Sequence, residues 1–159
     1  MKINYSEKGI LQIDDCRITH KNFSGKGSQY NREGDMNFSI VIPDPEIAEE
    51  LRNDGWNVKI KPPYDADSDP FVYLPVKVKF NGRGPNIYVK TGNSMNRLDE
   101  DEVHRIDKII IKSVDLDIRP YDWTNNGKSG RSAYLQNMLV YQDIDRFAQR
   151  YAEEEFPEE

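Results

Sequence analysis

The sequence predicts an all-β domain with short helices, closed as a barrel or stacked as a sandwich. Three observations carry that expectation. Apolar and polar residues alternate with a period of two through the middle of the chain, the pattern of strands with one buried face. About seven such runs occur, too many for a lone hairpin. The connecting segments 22–34, 62–70 and 121–131 are long and polar, and long loops on a β scaffold are where binding sits.

In chain order, the first strand is expected over 10–19. The run 36–42 places Met36, Phe38, Ile40 and Ile42 on one face. A helix should follow, because Asp44 can cap free backbone N–H groups, Pro45 suits the first helical position, and Gly55 permits a left-handed exit. Strands come next at 56–61, at 76–80 with Lys77 and Lys79 outward, and at 86–90. The acid-rich stretch from Leu98 to Glu102 favours a second helix start, running through Val103 and Ile106. The last strands fall at 108–119 and 132–142. A third helix, from Asp143, would place Ile144, Phe147, Ala148 and Tyr151 on one face. With no repeat and no linker, 1–151 reads as one domain and 152–159 as an acidic C-terminal tail.

Composition narrows the class. A chain of 159 residues with 36% hydrophobic content can bury about two thirds of its unfolded surface and needs no staple. Cys16 is the single cysteine, so an intramolecular disulfide and a Cys-rich zinc site are excluded. No run approaches the ~18 apolar residues of a membrane span, and the N-terminus lacks a signal-peptide pattern. The expectation is a soluble, cytoplasmic protein with no membrane partner.

The formal net charge is −6, from 22 bases and 28 acids, which by itself argues against a nucleic-acid partner. The charge, however, is segregated. Residues 152–159 hold five Glu and no base, while the windows 16–32, 70–98 and 123–142 contain no acid and half of all the bases. Aromatics fall in or beside these windows: Phe23 and Tyr30 flank Lys26, Tyr88 lies near Lys90, and Tyr121, Trp123 and Tyr134 bracket Lys128 and Arg131. Cations that follow phosphates and rings that stack unpaired bases are what a single-stranded nucleic acid requires. The plain alternative is solvated strand faces with ordinary core Tyr and Phe.

Catalytic motifs fail on inspection. Gly127-Lys128-Ser129 resembles the end of a phosphate-binding loop, but Asp122 stands where that motif needs its first Gly, and a strand follows instead of a helix. The run Asp65-Ala66-Asp67-Ser68-Asp69 has the alternation of a calcium loop, yet Pro70 and Val76 occupy its Gly and Glu positions. Asp115 and Asp117 share a strand face, as a metal-dependent nuclease would need, but without further ligands nearby. His20, His104 and Cys16 have no partner at catalytic or metal spacing. No enzyme, cofactor or metal is expected.

One resemblance is carried by the order of several short stretches. They are Arg17-Ile18-Thr19-His20 leading into Phe23-Ser24-Gly25-Lys26-Gly27, the strand 36–42 followed by a helix, Trp56-Asn57-Val58-Lys59, and Tyr73-Leu74-Pro75-Val76-Lys77-Val78. The closing stretches are Ile118-Arg119-Pro120-Tyr121-Asp122-Trp123, Gly127-Lys128-Ser129-Gly130 and Ala133-Tyr134-Leu135-Gln136. In this order they resemble the small OB-fold single-stranded DNA-binding proteins of bacteriophages, over about residues 13–147. The resemblance implies an OB-like five-stranded barrel with extra strands, binding single-stranded DNA without sequence preference in phage replication or recombination. It places the protein in the cytoplasm of the infected bacterial host. Carried across, the DNA-binding residues are Lys26, Tyr30, Arg32, Lys77, Arg119, Tyr121, Trp123, Lys128 and Arg131. The family often recruits replication or recombination proteins through an acidic tail. Here Phe156 lies inside the tail, where bacterial single-strand-binding proteins end on an apolar tip. Homo-oligomerisation is left open, and the rival reading is a phage protein that binds and inhibits a host protein.

Overall fold

The computed structural model describes residues 1–63, 65–82 and 84–144. Nine strands form one sheet: β1 (Lys2–Tyr5), β2 (Leu11–Asn22), β3 (Met36–Val41), β4 (Lys59–Lys61), β5 (Phe71–Val78), β6 (Asn86–Thr91), β7 (Ser94–Leu98), β8 (Ile111–Asn125) and β9 (Lys128–Gln142). Helix α1 (Pro45–Asn53) follows β3, and a 3-10 helix (Val103–Lys108) precedes β8.

Five of the strands close on themselves. β2 pairs antiparallel with β3 and β8, β3 pairs with β5, and β8 pairs with β9. A short parallel contact of β5 with β9, Val76 opposite Ala133 and Lys77 opposite Tyr134, completes the ring. This is the OB-like five-stranded barrel that the sequence led us to expect. The extra strands hang on it: β1 on β2, β4 on β5, and the β6–β7 hairpin on β9 through β6.

The barrel fills with the apolar set of the period-two pattern. Leu11, Ile13, Phe38, Ile40, Leu74, Val76, Val114, Leu116, Ile118, Met138 and Val140 are all buried. Each large side chain so removed from water contributes about 1.5–3 kcal/mol. Phe23, just past β2, stacks on Phe38 at 5.5 Å and caps one end. Helix α1 begins as its sequence dictates, with the Asp44 carboxylate accepting from the Glu46 N–H at 2.9 Å and Pro45 in the first turn. Its Ala48 and Leu51 are buried, and Gly55 leaves the helix at φ +93°.

Several expectations are corrected. The segment 121–131 is not a loop. β8 and β9 continue through it as a two-stranded arm, paired from Pro120–Ala133 to Asn125–Lys128 and closed by Asn126 and Gly127 at φ +51° and +77°. An Asn-Gly pair with both φ angles positive makes the tight hairpin turn whose twist matches its strands. The expected strand 56–61 shrinks to Lys59–Lys61, because Trp56 turns inward to 2% exposure. β1 and β7 were not anticipated, since both are short and mostly exposed edge segments without a clear apolar face. The second helix is a single 3-10 segment starting at Val103, and Leu98 ends β7 instead of opening a helix. Of the third helix, Asp143 and Ile144 are not helical, and its remainder lies outside the described residues, as does the tail 152–159.

Candidate nucleic-acid interface

In paired strands, residues opposite one another project to the same face. The β8–β9 register sets Arg119 opposite Tyr134, Tyr121 opposite Ser132, Trp123 opposite Gly130 and Asn125 opposite Lys128. All eight therefore share one face of the arm and its root. Across the barrel seam, Lys77 of β5 pairs with Tyr134, which adds β5 to that face.

Tyr134 lies at the centre. The Lys77 and Lys79 ammonium groups lie 5.7 and 5.8 Å from its ring centroid, and the Arg119 guanidinium carbon lies at 5.7 Å. Tyr121 meets it edge-on, 5.9 Å between centroids at 69°. Three cations around one ring would repel one another without the ring's negative face, and together they make a strong local site for anions. Further along the arm Trp123 is 37% exposed, its indole lying over Gly130 so closely that a Cβ there would meet Cζ2. Lys128 stands exposed at the tip.

A groove of about 540 Å³ runs beside this face, lined by Arg32, Met36, Asn37, Lys77, Lys79 and Phe80 among others. A second, of about 380 Å³, is lined by Lys79, Asn86, Arg119, Gln136 and neighbours. Lys79 borders both, so Lys77, Lys79 and Arg119 join into one basic track, while Arg32 lies at the far side of the larger groove beside Asp35, 3.9 Å from its carboxylate, and Glu100 also lines that groove. The loop after β2 supplies Arg32 and is built rather than loose. Asn31 Nδ2 donates to the carbonyls of Lys26, Arg32 and Asp35, Asn22 bonds the Lys26 backbone in both directions, and Asn37 Nδ2 donates to Asn31 Oδ1 at 2.7 Å. Its root is pinned by the Asp107 carboxylate, which accepts from the Phe23 and Ser24 N–H groups. Lys21 donates to the Ile106 and Ile109 carbonyls, and burial lowers its pKa. Lys26 and Tyr30 project from this loop, Tyr30 at 92% exposure.

Arg131 goes the other way. One residue out of phase with Gly130 and Ser132, it faces the far side of the arm, where its Nε donates to Asp122 Oδ1 at 2.7 Å and its guanidinium covers the Trp56 ring at 5.5 Å. Its backbone exchanges hydrogen bonds with Gly55 and Asn57. Behind it, Trp56 Nε1 donates to the Tyr5 hydroxyl, which donates to Asp54. The hydrogen bond to Asp122 raises the Arg131 pKa and lowers that of the carboxylate.

The structure thus brings Arg32, Lys77, Arg119, Tyr121, Trp123 and Lys128 to one side, sets Lys26 and Tyr30 on the adjoining loop, and turns Arg131 away. Sequence reasoning left Tyr134 and Lys79 out of the site. Their signal was present, because Ala133 and Leu135 are both inward and force Tyr134 outward, and Lys79 repeats the phase of Lys77. Asp115 and Asp117 do share a face, but Asp115 accepts from the Asp15 N–H and the Tyr141 hydroxyl, and Asp117 from Asn137. No group of three His, Cys, Asp or Glu among the described residues could hold a metal ion.

Residues 2–159 match the family model described as "Putative phage ssDNA-binding domain". Among curated proteins, none matches the chain. Solved structures of the single-stranded DNA-binding protein of bacteriophage Enc34 are similar in fold. Its complex with ssDNA superposes with a TM-score of 0.59 at 14% identity, covering 89% of this chain and 90% of that one. A C-terminal truncation gives 0.55 at 14% identity, covering 91% and 97%. Another structure of the Enc34 protein gives 0.55 at 12% identity, covering 92% and 93%.

Proposed function

Because this chain belongs to the phage single-stranded DNA-binding domain family, we propose that its strand lies along the face built by β5, β8, β9 and the loop after β2. Arg32, Lys77, Lys79, Arg119 and Lys128 would take phosphates, and Tyr121, Trp123 and Tyr134 would stack bases, with Lys26 and Tyr30 reaching in from the loop. The observation that carries the reading is the Tyr134 ring among three cations, beside Tyr121, on an open face. A duplex hides its base faces, whereas a single strand offers both the faces and the phosphates this surface matches. The protein acts by binding, without catalysis, in replication or recombination of phage DNA in the cytoplasm of the infected bacterium. The domain is 1–151, and the acidic segment 152–159 recruits replication or recombination partners.

The test is a titration of a fluorescent thirty-mer, single-stranded and duplex, at two salt concentrations with chelator present. Single strands should bind more tightly, and each phosphate contact should add ~0.7 to the magnitude of the log–log salt slope. A duplex preference or a salt-independent affinity would overturn the reading.

A further inference from the structure

We propose that Tyr5 and Trp56 are positioning residues for the β8–β9 arm: from behind, they fix the angle at which it carries Trp123 and Lys128. The inference rests on the single-stranded DNA reading above and concerns the side of the arm turned away from that strand.

Ala133 is the last residue of β9, going towards the tip, that β5 accompanies. Beyond it no other strand of the sheet follows β8 and β9, whose ladder runs out to Asn125–Lys128. A two-stranded ribbon is marginal in water and twists freely, so a contact carried on it needs a fixed root. The chain leaving α1 supplies one. The Arg131 N–H donates to the Gly55 carbonyl at 3.0 Å, and the Arg131 carbonyl accepts from the Asn57 N–H at 3.1 Å. The result is a parallel bridge between Trp56 and Arg131, one residue from Gly130, on which the Trp123 indole lies.

Side chains lock the bridge. The Arg131 guanidinium covers the Trp56 ring at 5.5 Å while its Nε holds the Asp122 carboxylate at 2.7 Å, so both strands of the arm are tied to one indole. That indole is 2% exposed, its Nε1 donates to the Tyr5 hydroxyl at 2.8 Å, and the hydroxyl donates to Asp54 Oδ2 at 2.7 Å. Asp54 is the C-cap of α1 and Tyr5 ends β1. Arm, helix and edge strand therefore meet at one hydroxyl. Burial and the Asp54 partner push it up to about 12, so it keeps its proton and both bonds near neutral pH.

A tryptophan under a sheet edge can be plain core, with its N–H satisfied by whatever lies near. Two features point to positioning. β1 pairs with β2 alone and has no buried residue, so Tyr5 is what links it to the arm. The bridge also sits between the barrel seam at Ala133 and the seat of Trp123 at Gly130, so its loss releases the part of the arm that meets DNA and little of the barrel. Ordering a loose arm on a strand costs free energy that a held arm does not.

The experiment compares wild type with Tyr5→Phe, Trp56→Phe and, as a control for lost stability alone, Asp44→Ala, which removes the α1 N-cap. Affinity and dissociation rate are read on labelled oligothymidylate of about thirty nucleotides, longer than the ~4–16 that one barrel holds, at two salt concentrations. Amide hydrogen exchange is followed over 121–131. Tyr5→Phe keeps the ring and removes both hydrogen bonds. It should bind about five-fold more weakly, mainly through faster dissociation, with an unchanged salt slope because no phosphate contact is lost. Its arm amides should exchange faster while those of the barrel keep their protection. Trp56→Phe should do the same more strongly, and Asp44→Ala should lower the melting temperature with neither effect. If Trp56→Phe does not fold, Tyr5→Phe decides alone. Wild-type affinity and arm protection in Tyr5→Phe would overturn the positioning role and leave the family reading intact, as would a loss accompanied by a smaller salt slope. Absence of single-strand binding by wild type would overturn the reading beneath it, and the positioning with it.

Discussion

Lys128 and Arg131, three positions apart on β9, project from opposite faces of the β8–β9 arm: Lys128 pairs with Asn125 on the face of Trp123, and Arg131 pairs with Asp122 against Trp56. Two cations that look equivalent in a Gly-rich stretch therefore stand in different surroundings. Lys128→Ala should weaken single-strand binding alike for all sequences and lower the salt slope by ~0.7, with an unchanged melting temperature. Arg131→Ala should lower stability by ~0.5–1 kcal/mol through the lost contact with the Trp56 ring. Melting curves and salt titrations on the two variants separate the roles, and a reversed pattern would mean the arm binds DNA through its other face.

Tyr134→Ala should lose ~1–3 kcal/mol of single-strand affinity if a base stacks there, and Tyr134→Phe should keep most of it. Equal losses in both variants, measured by fluorescence titration, would point to the hydroxyl rather than the ring.

Gly130 offers a way to move Trp123 without changing it. A Cβ at Gly130 would overlap the indole, and that ring is on an open face and can rotate away. Gly130→Ala should therefore fold normally, shift tryptophan emission to the red, and cost part of the ~1–3 kcal/mol that stacking supplies. An unshifted spectrum would mean that the backbone, not the ring, had yielded.

Gly127 tests the arm itself. Its φ is +77° and nothing lies within 4 Å of an added Cβ, so Gly127→Ala meets only the backbone cost of the left-handed region, about 1 kcal/mol. Amides of 121–131 should lose hydrogen-exchange protection while those of the barrel keep theirs. Uniform loss would show that arm and barrel unfold together.

The Tyr5 hydroxyl is pushed up to about 12 by burial and by its hydrogen bond to Asp54, and the Cys16 thiol to about 12 by burial and the Asp115 charge. In the unfolded chain these groups titrate near 10.0 and 9.0. The folded state keeps protons that the unfolded state has lost, so stability is full below pH 9 and declines as pH rises towards 12. The melting temperature should fall across that window, and Tyr5→Phe should flatten the portion above pH 10. A flat profile in wild type would contradict the burial of both groups.

The sequence alone determined the all-β class, the apolar faces of β3, β5, β8 and β9, and the start of α1, because alternation, Asp-Pro capping and Gly exits are local rules that tertiary context did not override. It also named most of the residues that the fold gathers on the candidate face, since acid-free windows with interleaved aromatics are visible in one dimension. It mistook the arm for a loop although Asn126-Gly127 was there to be read, because the flanking residues lack the apolar alternation that marks a strand with a buried face. What only the tertiary structure decided is which side of the barrel each group serves. The parallel contact between Lys77 and Tyr134 joins segments almost sixty positions apart, and no local pattern encodes it. The same closure places Lys79 and Arg119 around one ring, and the packing of Trp56 under the arm supplies the ring that Arg131, already out of phase, meets on the opposite face. Phase along a strand is written in the sequence, but which strands become neighbours is set by how the barrel buries its core.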